Sequence, residues 1–391
     1  MFKDNKNLLV IAVIAVVNAL GYGIVIPILY SYSKHFGLTD WQNGLLFSTF
    51  SFCAFISTPI IGKLSDKYGR RPLLLISVAG TAISFFMQAF APNAIFLFLA
   101  RALDGLTAGN ISVASAIIAD TTKPQDRAKG FGIIGAAFGF GFVAGPAISA
   151  STVGIWMPLP FVIAGVVTTI SWILTYFVLP ETNAHKGQIA HDNTFDLTHL
   201  WHGLFDSKLG NTFKITILYS IAFSCAMMYG FQPFAKNILK LSDSSISMAF
   251  VFIGVVGLIM QSFFVQKISK SLGTMRAFKI SVLIVASAFL LYCLVNSYFS
   301  LILVMIVMAS ANSLAQPLIN TILSLETEPK NQGHVMGMNT SYMNAGQIFG
   351  PIIGGLIASY YIRGVFVFGA SLLLVCIFLA RKISIQNNGA H

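Results

Sequence analysis

The chain has 391 residues, of which 56% are hydrophobic and only 9% charged, with a formal net charge of +11. Soluble domains carry about 25% charged residues, so this composition excludes an ordinary soluble protein. A basic chain can bind nucleic acid, but most of the 24 lysines and arginines lie in short segments between long apolar runs. We therefore expect an integral membrane protein that binds no nucleic acid.

Twelve apolar runs occupy nearly the whole chain, and each approaches the roughly 20 residues that a helix needs to cross a bilayer. They predict an all-α membrane protein with twelve transmembrane helices. The first run is followed by eleven more, so we interpret it as a retained helix and not as a cleaved signal peptide. The runs cover residues 8–30, 43–62, 73–91, 95–119, 130–152, 158–179, 213–235, 246–266, 277–296, 299–324, 333–359 and 362–380.

The basic residues are distributed unevenly between the two ends of these helices. If the N-terminus is cytoplasmic, four cations fall on the opposite side, namely Lys34, Lys236, Lys240 and Arg363. Nearly all the others are then cytoplasmic. By the positive-inside rule, this asymmetry predicts that both termini lie in the cytoplasm.

Three short patterns recur at intervals of 204 to 207 residues, which predicts two parallel six-helix halves. We place the halves at 1–180 and 213–391, with a polar linker at 181–212. Within the linker, residues 195–205 have the apolar spacing of a short interfacial helix. The recurring patterns are Tyr22-Gly23 with Tyr229-Gly230, 62–69 with 266–273, and Gly145-Pro146 with Gly350-Pro351.

Neither the histidines nor the cysteines form a recognisable site. The linker's His185, His191, His199 and His202 could bind a metal, but they lack the spacing of a ligand motif, which favours a solvated linker. The four cysteines fall inside predicted spans without a CxxC pair. The chain also has no GxxxxGK[ST] loop. We therefore expect no metal, no disulfide framework and no other cofactor.

A basic segment, Gly62-Lys-Leu-Ser-Asp-Lys-Tyr-Gly-Arg-Arg71, separates the second and third predicted helices. Its glycines permit a tight turn and close helix approach. Asp66 can lie at a neighbouring helix N-terminus, and Arg70 can pair with Asp120 at the end of the fourth predicted helix. A basic loop that only sets topology is the alternative.

This segment resembles the signature loop of the major facilitator superfamily, whose fold also fits two six-helix halves. The resemblance implies a cytoplasmic latch. In the second copy Lys270 stands where the acid would be, so we expect the latch to be asymmetric. The latch residues in this chain are Gly62, Asp66, Gly69, Arg70 and Asp120.

The fifth predicted helix is rich in glycine, including Gly141 and Gly145-Pro146. It resembles the antiporter motif of the drug:proton antiporters, although Ser149-Ala150 replaces the terminal glycine pair. Physically, such a run is also a seam at which helix backbones approach closely. The family link is what implies a direction of transport.

Two further stretches, 101–105 and 119–122, resemble the twelve-helix tetracycline exporters of Gram-negative bacteria. One departure is that Asn18 stands where those exporters carry an acid in the first helix. Of the 13 acids, Asp104 is the one that lies well inside a predicted span. It therefore becomes the main candidate for a proton carrier.

Asp104 shares one face of the fourth predicted helix with Arg101, three residues away. We expect this face to line a central cavity, because a charge facing lipid would cost at least ~2.5 kcal/mol. In the functional interpretation Asp104 takes up and releases the coupling proton. The alternative is a permanent ion pair that holds the helix in place. The face also contains Gly105, Ala108, Ser112 and Ser115.

Neutral polar residues inside the spans are candidates for solute binding or, equally, for hydrogen bonds between helices. The strongest pattern is Asn312, Gln316 and Asn320, at successive i+4 positions of the tenth predicted helix. Some of the 34 phenylalanines and 13 methionines would give a cavity adaptable apolar walls. The predicted solute-binding set is Asn18, Tyr22, Gln88, Arg101, Asp104, Asn312, Gln316, Asn320 and Asn339.

Together these features predict a transporter and not an enzyme: a proton-coupled exporter of a small, partly apolar, drug-like solute, working by alternating access. We expect a monomer in the inner membrane of a bacterium, with the solute, protons and membrane lipids as partners and the proton gradient as the energy source. Exporters of an endogenous organic anion, such as a siderophore, remain an alternative, with Arg101 as the counter-charge. A proton-coupled uptake symporter, a receptor and a lipid-flipping protein are further alternatives.

Overall fold

The computed structural model describes residues 2–121, 127–183, 197–328 and 331–383. Within these ranges every regular element is helical. Helices α1 to α10 are long and apolar enough to cross a membrane, and α12 is a shorter apolar helix. The predicted all-α membrane fold is therefore confirmed. The helices are α1 Phe2–Lys34, α2 Asp40–Tyr68, α3 Arg70–Ala89, α4 Ala94–Thr121, α5 Arg127–Thr152, α6 Leu159–Val178, α7 Gly210–Ile238, α8 Asp243–Leu272, α9 Thr274–Tyr292, α10 Tyr298–Glu326, α11 Gln332–Tyr360 and α12 Gly364–Ala380.

Local sequence explains where several helices begin. The Asn93 side chain accepts a hydrogen bond of 2.9 Å from the backbone N–H of Phe96 and so caps the start of α4. Ser297 and Ser300 bond to each other's backbone N–H groups at the start of α10, which is a capping box. These caps satisfy N–H groups that the first turn of a helix leaves without partners.

The tight turn predicted at 62–71 is shorter than that segment, because α2 continues to Tyr68 and α3 begins at Arg70. Gly69 alone makes the turn, with a φ of 109° that favours glycine. The fourth predicted span is found as α4, with a turn at 107–109 between Ala94–Leu106 and Asn110–Thr121.

The chain divides into two compact units. The first consists of Met1–Thr39, Thr49–Phe195 and Ser242–Gly254, and the second consists of Asp40–Ser48, Asp196–Leu241 and Val255–His391. The core of the first unit contains Ile14, Leu74 and Ile117. In the second, Tyr292 stacks on Phe366 with ring centroids 4.6 Å apart. The boundaries predicted at 180 and 212 stay a prediction.

The linker helix, Leu197–Leu204, belongs to the second unit. Leu200 and Leu204 pack against a buried cluster that includes Phe213 and Tyr342, and the Tyr342 hydroxyl donates a hydrogen bond to the Leu200 carbonyl. Trp201 remains exposed on the other side of the linker helix. The rest of the predicted linker, 184–196, lies outside the described residues.

Candidate functional site

The charged pair in α4 forms the centre of the candidate site. A terminal guanidinium nitrogen of Arg101 lies 3.3 Å from a carboxylate oxygen of Asp104, and the two side chains are 9% and 10% exposed. The i, i+3 spacing places both groups on one face, as the sequence predicts. Burying this pair costs free energy, because both charges lose their hydration and must be compensated by their partners.

Arg101 has a second neighbour from α2. Its guanidinium lies over the Phe50 ring, 4.6 Å from the centroid, in a cation–π contact. The Tyr22 ring of α1 meets the Phe50 ring edge-on, with centroids 5.3 Å apart. Gly105 permits this approach, since a Cβ there would collide with the Phe50 carbonyl oxygen. The side chains of α1, α2 and α4 therefore meet around one aromatic ring.

Two of the predicted solute-binding residues each have one buried polar atom without a hydrogen-bond partner among the described residues. One is Nε of Arg101, and the other is Oε1 of Gln88 in α3. Nε2 of Gln88 donates a bond of 3.3 Å to the Ser84 carbonyl. Donors and acceptors left open at membrane depth are costly, and they mark places where a polar ligand can bind.

Asn18 is joined to a residue that the sequence did not single out. Nδ2 of Asn110 donates a hydrogen bond of 3.0 Å to Oδ1 of Asn18. Oδ1 of Asn110 in turn accepts from the backbone N–H of Ile111, at the restart of α4 after its break. A polar residue directly after Gly109 was the available signal. Asn18 is thus tied to the broken segment of α4.

The glycine run of α5 packs against α1. A Cβ on Gly145 would lie 2.8 Å from the Cα of Gly23, and one on Gly141 would collide with Ala19. A Cβ on Gly23 would lie 2.8 Å from the Cδ of Pro146. Any larger residue at these three positions would force the backbones apart. The seam thus holds α1, which carries Tyr22, at a fixed place in the first unit.

The predicted latch residues around Arg70 are in contact. Nε of Arg70 donates a hydrogen bond of 2.9 Å to Oδ2 of Asp120, and a terminal nitrogen lies 2.5 Å from Oδ1 of Asp66. The same nitrogen donates to the Ser65 hydroxyl at 2.7 Å. Gly62 lies inside α2, where a Cβ would approach the Ser112 hydroxyl at 3.3 Å.

An acid of the predicted linker, Glu181, completes this cluster. Glu181 accepts hydrogen bonds from the backbone N–H groups of Arg70 at 2.9 Å and Arg71 at 3.3 Å. These are the first N–H groups of α3, where a negative charge is favourable. The acid at this helix N-terminus is therefore Glu181. Its side chain also crowds Gly69, where a Cβ would collide with a carboxylate oxygen.

The predicted amides of the second unit bond to neighbouring helices. Oδ1 of Asn312 accepts a bond of 2.6 Å from the Tyr219 hydroxyl. Asn339 donates to Oδ1 of Asn320 at 2.9 Å and accepts from the Thr216 hydroxyl at 2.7 Å. These bonds join α7, α10 and α11.

Gln316 differs from the other amides. Its Nε2 contacts the sulfur of Met343 at 3.4 Å, and sulfur is a weak acceptor.

At the end of α10, the buried carboxylate of Glu326 accepts a bond of 2.6 Å from the Thr212 hydroxyl. Within the described residues, no group of three histidine, cysteine or acidic side chains could hold a metal ion.

Comparisons with known proteins agree with this architecture. The family model described as Major Facilitator Superfamily matches residues 11–295 and 231–387. The chain is 28% identical over 368 residues to the tetracycline resistance protein, class B, of Escherichia coli, covering 91% of this chain and 89% of that protein. It is 27% identical to the quinolone resistance protein NorA of Staphylococcus aureus, covering 97% of each.

A solved structure has the same fold. A D-xylose-proton symporter superposes with a TM-score of 0.80 at 15% identity, covering 99% of each chain. At this identity the likeness concerns the fold alone.

Proposed function

Because this chain belongs to the major facilitator superfamily, a family of membrane transporters and not of enzymes, we propose that it is a proton-coupled exporter of a small, partly apolar, drug-like solute. Its similarity along nearly its whole length to resistance proteins for tetracycline and quinolones supports export over uptake. The same similarity favours drug-like solutes over an endogenous anion. We place the protein in a bacterial inner membrane, as a monomer with cytoplasmic termini.

The observation that carries this proposal is the buried Arg101–Asp104 pair. A carboxylate at membrane depth is a candidate proton carrier. A charge there costs desolvation free energy that a neutral side chain would avoid. When Asp104 is protonated its charge is lost, and Arg101 loses its ionic partner. In the exporter, the solute binds the pair while Asp104 is charged, so solute and proton compete for Asp104. This competition exchanges a proton for the solute.

The surroundings of the pair fit a partly apolar solute. Phe50 and Tyr22 offer aromatic surface, while Nε of Arg101 and Oε1 of Gln88 offer one donor and one acceptor without present partners among the described residues. A few polar groups in an apolar wall are typical of sites for small molecules. In the second unit Gln316 is the amide with the weakest present bond, so we assign it to the solute.

The basic cluster at Arg70 fits the role of a latch. Asp66 and Asp120 hold Arg70 from two helices, and Glu181 fixes the turn at Gly69. A rigid charged cluster of this kind can favour one state of an alternating-access cycle. We expect it to set the rate of that cycle and to leave solute affinity unchanged.

The test uses everted membrane vesicles with an acid interior and a pH-sensitive dye, to which a tetracycline, a quinolone and other candidate solutes are added. The wild type should release protons when a transported solute is added. Asp104→Asn should abolish that signal, because an amide cannot carry the proton. Glu326→Gln, which neutralises the buried acid of the second unit, should keep it.

Equal coupling in the wild type and in Asp104→Asn would overturn the assignment of the proton to Asp104. Loss of coupling in Glu326→Gln alone would move the carrier to α10. If no solute moved protons in the wild type, proton-coupled export of drug-like solutes would itself be contradicted.

A further inference from the structure

Three buried residues form a stripe along one face of α3. Gly80, Ser84 and Gln88 follow one another at intervals of four residues, so their positions lie one helical turn apart on the same side. Ser84 and Gln88 are both fully buried. At membrane depth no water satisfies such polar groups, so the protein itself must supply their hydrogen-bond partners.

This stripe packs against α4. A Cβ on Gly80 would collide with the side chain of Thr107, whose hydroxyl donates a bond of 2.8 Å to the Leu103 carbonyl. Only residues 90–93 connect α3 to α4, and helices joined by so short a connection run in opposite directions. One turn forward along α3, from Gly80 to Ser84, therefore matches one turn back along α4, from Thr107 to Asp104.

The Ser84 side chain lies within hydrogen-bonding range of the Asp104 carboxylate, in agreement with this register. Asp104 is itself 7% exposed, and its other partner is Arg101, at 3.3 Å. The proton carrier proposed above thus has a charged neighbour on its own helix and a neutral hydroxyl from α3.

The hydroxyl of Ser84 can bond to Asp104 in two ways. It donates a bond of 2.8 Å to the Thr81 carbonyl in the preceding turn. A hydroxyl has one proton to donate and two lone pairs that accept. While Ser84 donates to Thr81, its lone pairs are open to the O–H of a protonated Asp104. When its proton turns toward Asp104 instead, it becomes a donor to the charged carboxylate. The Ser84 oxygen can therefore serve both forms without moving.

Gln88 holds Ser84 in place from the next turn of α3. Its Nε2 donates a bond of 3.3 Å to the Ser84 carbonyl, and the Tyr32 hydroxyl of α1 donates one of 2.8 Å to the Gln88 carbonyl. On the other side of Ser84, the close approach of Gly80 to Thr107 sets the separation of α3 and α4. Contacts on both sides thus fix the Ser84 oxygen beside Asp104.

The titratable groups around the carboxylate come from three helices. Arg101 of α4 pairs with it, and Tyr22 of α1 is close enough to interact electrostatically with both members of the pair. Cys53 of α2 lies near Arg101. Ser84 differs from all of these because a serine hydroxyl does not titrate. It can therefore change how tightly Asp104 holds a proton without binding that proton itself.

We propose that Ser84 is a positioning residue for the coupling proton: its hydroxyl donates to the charged Asp104 carboxylate and accepts from the protonated one. This inference rests on the proposed assignment of the proton to Asp104. A hydrogen bond to a charged acceptor is stronger than one between neutral groups. Loss of the hydroxyl therefore destabilises the charged form of Asp104 more than the protonated form.

The test is an infrared pH titration of the purified full chain without solute. The C=O stretch of protonated carboxyl groups is followed, and the part of it that is missing in Asp104→Asn belongs to Asp104. Ser84→Ala should raise the midpoint of that band by about one pH unit, because the charged form loses the stronger bond. It should also move the band to higher frequency, because the O–H of Asp104 loses its acceptor.

Two matched variants accompany Ser84→Ala. Ser77→Ala removes another buried hydroxyl of α3, one that has no hydrogen-bond partner among the described residues, and should change neither the midpoint nor the frequency. Ser84→Thr keeps a hydroxyl at the site and should return the midpoint to near the wild-type value. Equal midpoints in the wild type and in Ser84→Ala would overturn the role of Ser84. So would equal shifts in Ser77→Ala and Ser84→Ala, or a midpoint in Ser84→Thr equal to that of Ser84→Ala.

The same titration separates this inference from the proposed function. If the wild type has no band that disappears in Asp104→Asn, Asp104 takes up no proton, and both the coupling assignment and the role of Ser84 are contradicted. If the band titrates identically with and without the Ser84 hydroxyl, the role of Ser84 alone is contradicted, and Asp104 remains the proton carrier.

Discussion

In α4 of the first unit, Arg101 and Asp104 form an ion pair that leaves Nε of Arg101 without a partner among the described residues, whereas the amides of α10 and α11 bond to one another and to α7. Both regions place polar side chains inside apolar helices. In the first, charge and open hydrogen-bonding capacity are concentrated at one point. In the second, most of that capacity joins helices.

The difference separates two reasons for polarity at membrane depth. Hydrogen bonds between membrane helices stabilise them modestly, by about 0.6–2 kcal/mol each, and an amide pair serves that purpose without charge. A buried ion pair stabilises poorly relative to apolar residues, so stability alone does not explain it. We therefore assign proton coupling to α4 and helix association to most of the α10 stripe.

Neutralising one member of the α4 pair should have the largest effect. Arg101→Gln leaves Asp104 as an uncompensated buried charge, which destabilises a protein by about 3–5 kcal/mol. Arg101→Gln/Asp104→Asn should recover most of the thermal stability of the purified protein, because neither charge remains. Its solute-dependent proton movement should stay lost.

If the double variant recovered proton coupling along with stability, the pair would be a structural bridge. The contrast between α4 and α10 would then disappear. Thermal unfolding followed by fluorescence measures the stability of these variants, and the vesicle assay measures their proton coupling.

Enlarging the α1–α5 seam should have the next largest effect. Gly145→Ala puts a methyl group 2.8 Å from the Cα of Gly23, and such overpacking costs about 1–3 kcal/mol. Gly135→Ala in the same helix has no described atom within 4 Å of its Cβ and should be neutral or slightly stabilising, since alanine favours helix. Unfolding temperatures of the two variants measure the difference, and equal values would refute the seam.

The amides of the second unit should divide into two classes. Asn339→Leu removes two interhelical bonds and should lower stability by about 1–2 kcal/mol without changing solute affinity. Gln316→Leu removes a weak contact to sulfur, so it should leave stability unchanged and weaken solute binding by about 1 kcal/mol or less. Solute titrations of both variants test this, and the opposite assignment of effects would contradict the comparison.

The smallest effect on stability should come from the latch. Asp66 is 43% exposed, and Arg70 keeps Asp120 and Ser65 when Asp66→Asn is made, so the loss should be at most about 1 kcal/mol. Turnover should fall while solute affinity stays nearly intact. Measured rates equal to those of the wild type would remove the latch role from Asp66.

Apolar runs predicted the helices well, because about 20 consecutive apolar residues match the length that a helix needs to cross a bilayer. The sequence predicted the ends and interruptions of the helices less well. Gly69 alone separates α2 from α3. The six residues before it stay helical, although glycine at 62 suggested that α2 would end earlier. Helix α4 breaks at 107–109, where glycines at 105 and 109 and Asn110 gave a signal that the apolar pattern outweighed.

Contacts between distant residues account for what the sequence did not predict at the site. Periodicity placed Arg101 beside Asp104 because they share a helix. It could not reveal that Glu181 bonds to the start of α3, since 111 residues separate Glu181 from Arg70. Nor could it pair Asn339 with Thr216, which depends on how α7 and α11 pack.

The most direct test of the central claim is proton release on solute binding to the purified protein, in weak buffer with a pH indicator. If Asp104 exchanges its proton for the solute, the wild type releases protons on binding. Asp104→Asn should bind the solute and release none. Release from Asp104→Asn equal to that of the wild type would contradict the account.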